Sequence, residues 1–162
     1  MLDPNFMHAV VLLGHHDGEG AQGLVINRLH PGGTTLAGLA IHEGGPVGLG
    51  QHQLLHGSAE LAHCSTQVAE GLWMAREPGP VLKALEAGSV NPDAVRLFEG
   101  YSGWGSGQLE TELAESAWLV DQPNADLVLG CSVGPKAWRA ALRGLGPDVA
   151  GLAHLPPDVS WN

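Results

Sequence analysis

The sequence predicts a single α+β domain, and three observations predict it. A chain of 162 residues is long enough for one substantial core and too short for two catalytic domains. Its apolar residues fall in short runs cut by 24 glycines and 11 prolines, spread along the chain rather than gathered in a tract, so they read as turns between many short elements. Strand-like and helix-like runs mix without a regular βαβ succession, which argues against a doubly wound sheet. No internal repeat or linker divides residues 1–162.

Ala9 to Leu13 and Gly23 to Asn27 are short apolar runs rich in β-branched residues, and they predict a hairpin across the long loop His15 to Gly20. In Thr34 to Ile41 the spacing of Leu36, Leu39 and Ala40 predicts a short helix ended by Gly44-Gly45-Pro46. Strands are expected at Val47 to His56 and Gly71 to Ala75. A helix follows over Pro80 to Gly88, with proline near its start and glycine just past its end. Val95 to Tyr101 is predicted as a strand and Gly100 to Gly107 as a tight turn. Gln108 to Trp118 is predicted as a helix with Leu109, Leu113 and Ala117 on its buried stripe. Leu127 to Leu129 reads as a strand, and Pro135 to Leu145 as the last helix.

Seven basic residues against 17 acidic ones leave a net charge of −10 with the histidines neutral. Such a field repels phosphate backbones, so direct DNA binding is disfavoured. Cys64 and Cys131 lack C-x-x-C spacing, and Met1 to Asn5 show no basic segment leading into an apolar signal core, so a reduced, cytoplasmic protein is expected. No apolar run approaches the ~18 residues of a membrane helix.

Four blocks carry a family resemblance: Asp3-Pro4-Asn5-Phe6; His16-Asp17 with Gly20 to Arg28; Gly44-Gly45-Pro46-Val47; and Gly100-Tyr101-Ser102-Gly103-Trp104-Gly105-Ser106-Gly107-Gln108-Leu109-Glu110. The last is the most specific and continues through Glu112, Glu115 and Ala117-Trp118-Leu119, while Trp138-Arg139 with Ala140 and Leu142 resembles a closing helix. In this order the chain resembles the YqgE/AlgH family along nearly its whole length. The resemblance implies a bacterial α+β protein whose helices surround a mixed sheet that partly closes into a small barrel. It implies a family without an established enzyme activity, whose one functional label is a role in transcriptional regulation.

Three departures stand out. The apolar strand usual before Asp-Pro-Asn-Phe is missing, so either the true start lies upstream of Met1 or one sheet edge is open to pairing. Where the family tends to be Thr/Ser-rich, this chain has Met74 to Pro80, and the usual proline after Asn27-Arg28 is Leu29.

The Gly100 to Gly107 turn has the context of an anion-cradling loop, but no lysine follows it and Glu110, Glu112 and Glu115 crowd the next turns; the turn reading is favoured. Gly130-Cys131-Ser132-Val133-Gly134 is a literal G-x-S-x-G, with Asp148 and His154 following in hydrolase order. Too little chain lies beyond Ser132 for the usual α/β-hydrolase strands. A small serine hydrolase using Ser132, His154 and Asp148 is therefore the alternative reading. His52 and His56 would share a zinc only on a helix, and in the expected strand they stand ~13 Å apart; the loop His15-His16-Asp17 offers no closed ligand set. No metal or cofactor is expected. The best ligand-binding candidates are His16, Asn27 and Arg28, should Tyr101, Trp104 or Gln108 approach them. The favoured reading is a noncatalytic protein acting through an unknown protein partner or a small ligand, with any effect on transcription indirect, no membrane association, and a homo-oligomer through an exposed sheet edge as a further expectation.

Overall fold

The computed structural model describes residues 6–130 and 133–154, the side chains through Leu152. The predicted hairpin forms from β1 (Val11–Asp17) and β2 (Gly20–Val25), paired antiparallel with a bulge between Leu13 and His15. β3 (Thr35–Leu36), β4 (Leu39–Glu43), β5 (Val47–His56), β6 (Ser65–Ala69), β7 (Leu72–Ala75) and β8 (Val95–Gly105) complete an eight-stranded sheet. Its main path runs β1-β2-β8-β5-β7-β6, with β4 on β8 and β3 on β4. The β4–β8 pairing is parallel and the others are antiparallel, so the sheet is mixed and nearly closes into a barrel.

β8 organises this closure. Its first half pairs with β4 and β5, from Val95 to Glu99, and its second half with β2, from Ser102 to Gly105. Gly100 joins the halves with φ of 69°, a left-handed conformation that an L side chain resists. At this joint the backbone of Gly44-Gly45 lies directly on that of Gly100-Tyr101: a Cβ on Gly45 would run into the backbone of Tyr101, and one on Gly44 into the Gly100 carbonyl. The Gly44 carbonyl in turn accepts from Val25 N–H at 2.8 Å and from the buried Ser102 Oγ at 3.2 Å. Two of the blocks that resemble the family therefore meet here, backbone against backbone.

The sheet buries both faces. Leu12, Leu24, Leu55, Leu72 and Phe98 form the core of one face together with Val128 of α3 (Ala125–Leu129). On the other face Leu54 and Leu97 lie under α1 (Pro78–Glu86), whose Val81 is fully buried. Ala21 and Trp104 lie under α2 (Gln108–Ala114). α4 (Pro135–Gly144) and the single turn α5 (Pro147–Ala150) follow. Arg96, 5% exposed, ties α3 to β8 by donating from Nη1 to the Val128 carbonyl at 2.8 Å.

Several predicted elements need correction. Thr34 to Ile41 is not a helix but the β3–β4 hairpin: Ala37 and Gly38 take φ of 51° and 78°, a two-residue turn that pairs Leu36 with Leu39. Leu127 to Leu129 is not a strand but part of α3, because the Asn124 side chain caps it by accepting from Leu127 N–H at 3.1 Å. The Gln108 helix stops at Ala114, since Ser116 turns left-handed at φ 58° and Ala117 N–H closes onto the Glu112 carbonyl at 2.9 Å. β8 runs on through Gly105, and of Gly103, Gly105 and Gly107 only Gly107 has a left-handed φ, 73°. β6, a half-polar strand at the sheet edge, carried no apolar run to announce it.

His42 and His56 sit within this fold with pKa values below the ordinary histidine range. Desolvation is the main cause for both, joined at His42 by the Arg96 charge. His56 is fully buried, and its Nε2 pairs with Ser65 Oγ at 2.7 Å. A depressed histidine pKa means the unfolded chain binds the proton first, so stability is complete above about pH 6.5 and falls as pH drops below it. Chemical unfolding at pH 7.5 and 5.5 is expected to show a loss with a slope of at most about 1.4 kcal/mol per pH unit for His56, reduced in His56→Gln. A flat profile would contradict this account.

Candidate functional site

The site is built around the outer edge of β1. Ile26 N–H donates to the Val10 carbonyl at 2.9 Å, and the register pairs Leu12 with Leu24. Antiparallel alternation then turns Val10 and Leu12 toward β2 and directs the backbone groups of Val11 and Leu13 outward. Among the described residues no strand pairs with that edge. A cavity of about 800 Å³ envelops it. One wall is Trp104, Leu109, Leu113 and Trp118; the other is Leu127, Trp138, Leu142 and Leu145.

The walls are held by specific contacts. Phe6 stacks on Trp104 with ring centroids 5.6 Å apart and meets the edge of Trp118 at 5.4 Å. Both indoles donate to one carboxylate oxygen, Glu112 Oε2, Trp104 at 3.0 Å and Trp118 at 2.7 Å, while Gln108 Nε2 donates to Glu112 Oε1 at 2.9 Å. Desolvation raises the Glu112 pKa, but these three bonds outweigh it and leave the group below the ordinary carboxylate range. On the far side His8 packs edge-on against Trp138 at 4.4 Å. Burial, followed by the charges of Arg139 and Arg28, lowers its pKa.

Asn27 anchors the floor. It is 1% exposed, accepts Val10 N–H at 2.9 Å, and donates to the carbonyls of His8 at 2.9 Å and Gly134 at 3.3 Å. Gly134 N–H returns a bond to the Asn27 carbonyl at 2.6 Å. Only a side-chain amide offers one acceptor and two donors in this arrangement, and with it Asn27 positions both the 6–10 segment and the start of α4. Arg28 Nη2 holds the Met7 carbonyl at 2.9 Å.

The candidates drawn from sequence are thus distributed around the cavity. His16 and Trp104 both line it, each paired with Ala21 in one row across three strands. His16 Nε2 contacts Glu110 Oε1 at 2.6 Å, and that bond holds the exposed Glu110 below its ordinary pKa. Gln108 Oε1 accepts Gly105 N–H at 3.1 Å at the entry to α2. Asn27 and Arg28 act from behind the floor. Tyr101 stands apart, an odd number of residues from Trp104 along β8 and so on the opposite face, against the Phe98 core. Phe6, Trp118, Trp138 and Glu112 complete the site.

Ser132 lies outside the described residues, as does the side chain of His154. The segment before Gly130 is helical, so it lacks the strand a nucleophile elbow requires; Asp148 is exposed in α5. His52 and His56 share β5 rather than a helical turn. Among the described residues no group of three or more His, Cys, Asp or Glu could hold a metal ion, and no helix is long and apolar enough to cross a membrane.

The comparisons with known proteins agree with the fold. A UPF0301 protein of Streptomyces avermitilis is 38% identical, aligned over 100% of this chain and 90% of its own. One of Myxococcus xanthus is 37% identical, over 93% and 87%. The solution structure of the AlgH protein from Pseudomonas aeruginosa superposes with a TM-score of 0.71 at 30% identity, covering 98% of this chain and 90% of that one. A Corynebacterium diphtheriae crystal structure, at 19% identity and TM-score 0.76, shares the fold, covering 96% and 86%. The AlgH-like family profile itself spans residues 1–150, taking in β1, Asn27, Trp104 and the helices that wall the cavity: the chain belongs to the AlgH-like family.

Proposed function

We propose that this AlgH-like protein is a noncatalytic, cytoplasmic binding protein whose partner contributes an extended apolar segment to the free edge of β1. The observation that carries the reading is the coincidence of the apolar cavity with a strand edge that pairs with no strand among the described residues. An added strand would bond to the Val11 and Leu13 backbones while its alternate side chains enter the cavity on either side, the geometry of β-augmentation. Charge selects the partner: with a net −10 and exposed Glu110, Glu115 and Asp121 along α2 and its extension, the incoming segment carries basic residues. Lys136, Arg139 and Arg143 of α4 are too few against that field to track a phosphate backbone, so an effect on transcription runs through the partner.

The test is a fluorescence titration with a synthetic peptide of alternating valine and threonine flanked by lysines, read by the indoles of the cavity. Saturable binding is expected, weakened about tenfold or more by Leu13→Pro, because proline removes an outward N–H and leaves the β1–β2 ladder intact. Equal binding by that variant would overturn the proposal. So would a homodimer that Leu13→Pro dissociates, which would give the edge to a second copy.

A further inference from the structure

A second cavity, of about 370 Å³, opens elsewhere on the molecule. Its polar lining is His15, Gln22, His52, Gln53, Thr66 and Arg76, drawn from β1, β2, β5 and β6 and from the residue after β7. In strand order β1 and β2 are separated from β5, β7 and β6 by β8; they face one another across this cavity because the sheet curls.

The register places these side chains. Gln22 pairs with His15 and alternates with Leu24; Thr66 pairs with Met74, which pairs with Leu55; Gln53 alternates with Leu55. They therefore lie on the same face as the Leu24, Leu55 and Phe98 core, where the alternating pattern calls for apolar residues. His15, Thr66 and Arg76 are exposed at the rim and Gln22 and Gln53 half-buried below them, so the face turns from apolar to polar where the barrel opens to solvent.

The chemistry of the lining says which. Not one carboxylate lines this cavity among the described residues, in a chain with 17 acidic residues and seven basic ones. His15 is turned to Asp17, 2.8 Å away. The side chains of Arg76, His52, Gln22, Gln53 and Thr66 have no hydrogen bond or ion pair among the described residues. A guanidinium fork with two amides and a hydroxyl around one space is a donor-rich set that matches a planar carboxylate; His52, paired with Glu99 while Gln53 pairs with Phe98, turns its imidazole to the other face. The volume suits a small metabolite and excludes a folded partner. We infer that the barrel mouth binds a small carboxylate-bearing molecule, with Arg76 as its main anchor, independently of the groove at β1.

The test is a titration of the full chain, followed by NMR, with succinate and separately with inorganic phosphate. Succinate is expected to shift the Arg76 Nε–H signal and the side-chain amides of Gln22 and Gln53. Arg76→Gln should weaken binding about tenfold or more. The exposed position of Arg76 leaves the fold intact, which the unchanged remainder of the spectrum will show, and Arg139→Gln, outside the cavity, should bind as the parent does. Shifts scattered away from this cavity, equal binding by Arg76→Gln, or phosphate binding as tightly as succinate would each overturn the assignment.

Discussion

Gly45→Ala is expected to destabilise the protein by about 4 kcal/mol, adding the strain of a left-handed residue to an overpacked contact. Gly45 sits at φ 150°, and its new methyl would strike the backbone of Tyr101, a neighbour that cannot swing aside as a flexible side chain would. At roughly 2–4 °C per kcal/mol for a chain of this size, the melting temperature should fall by about 10 °C or more. Gly144→Ala is the matched control: in α4, with nothing within 4 Å of the added Cβ, it should be neutral or slightly stabilising. Equal melting temperatures for the two variants would show that the Gly44-Gly45 and Gly100-Tyr101 backbones do not meet as described.

Asn27→Ala should cost about 3 kcal/mol, because it strands Val10 N–H and the His8 carbonyl in a dry site and removes the tie to Gly134. The consequence reaches the groove. The 6–10 segment and the start of α4 lose their common anchor, so peptide binding should fall further than the stability loss alone explains, at a temperature where the variant is folded. Asn27→Asp, which keeps the acceptor for Val10 N–H and lacks both donors, should recover little. Normal peptide binding by folded Asn27→Ala would separate the anchor from the site.

Local chemistry made much of this fold legible. The β1–β2 hairpin, β5, α1 and α4 follow from apolar runs and from proline and glycine at helix ends, and the blocks around Gly20, Gly44 and Gly100 carried the family. The failures have local causes too. In Thr34 to Ile41 helical spacing competed with a turn at Ala37-Gly38, and pairing with β8 decided the matter for strand. In Ala125–Leu129 five residues are too short for periodicity to speak, and the Asn124 cap decided for helix. The site was half legible. Trp104, His16 and Gln108 stand in the specific blocks, and Asn27 stands at the end of the hairpin. That Phe6, Trp104 and Trp118 stack together across about a hundred residues of chain, or that Gln22 and Gln53 face one another at the barrel mouth, is set by sheet closure and has no one-dimensional signal.

The central claim is that a partner strand adds to β1, and amide hydrogen exchange tests it most directly. With the lysine-flanked peptide bound, the outward amides of Val11 and Leu13 should become protected, while Leu12, already bonded to β2, changes little. Unchanged exchange at Val11 and Leu13 with the peptide saturating the protein would contradict the account.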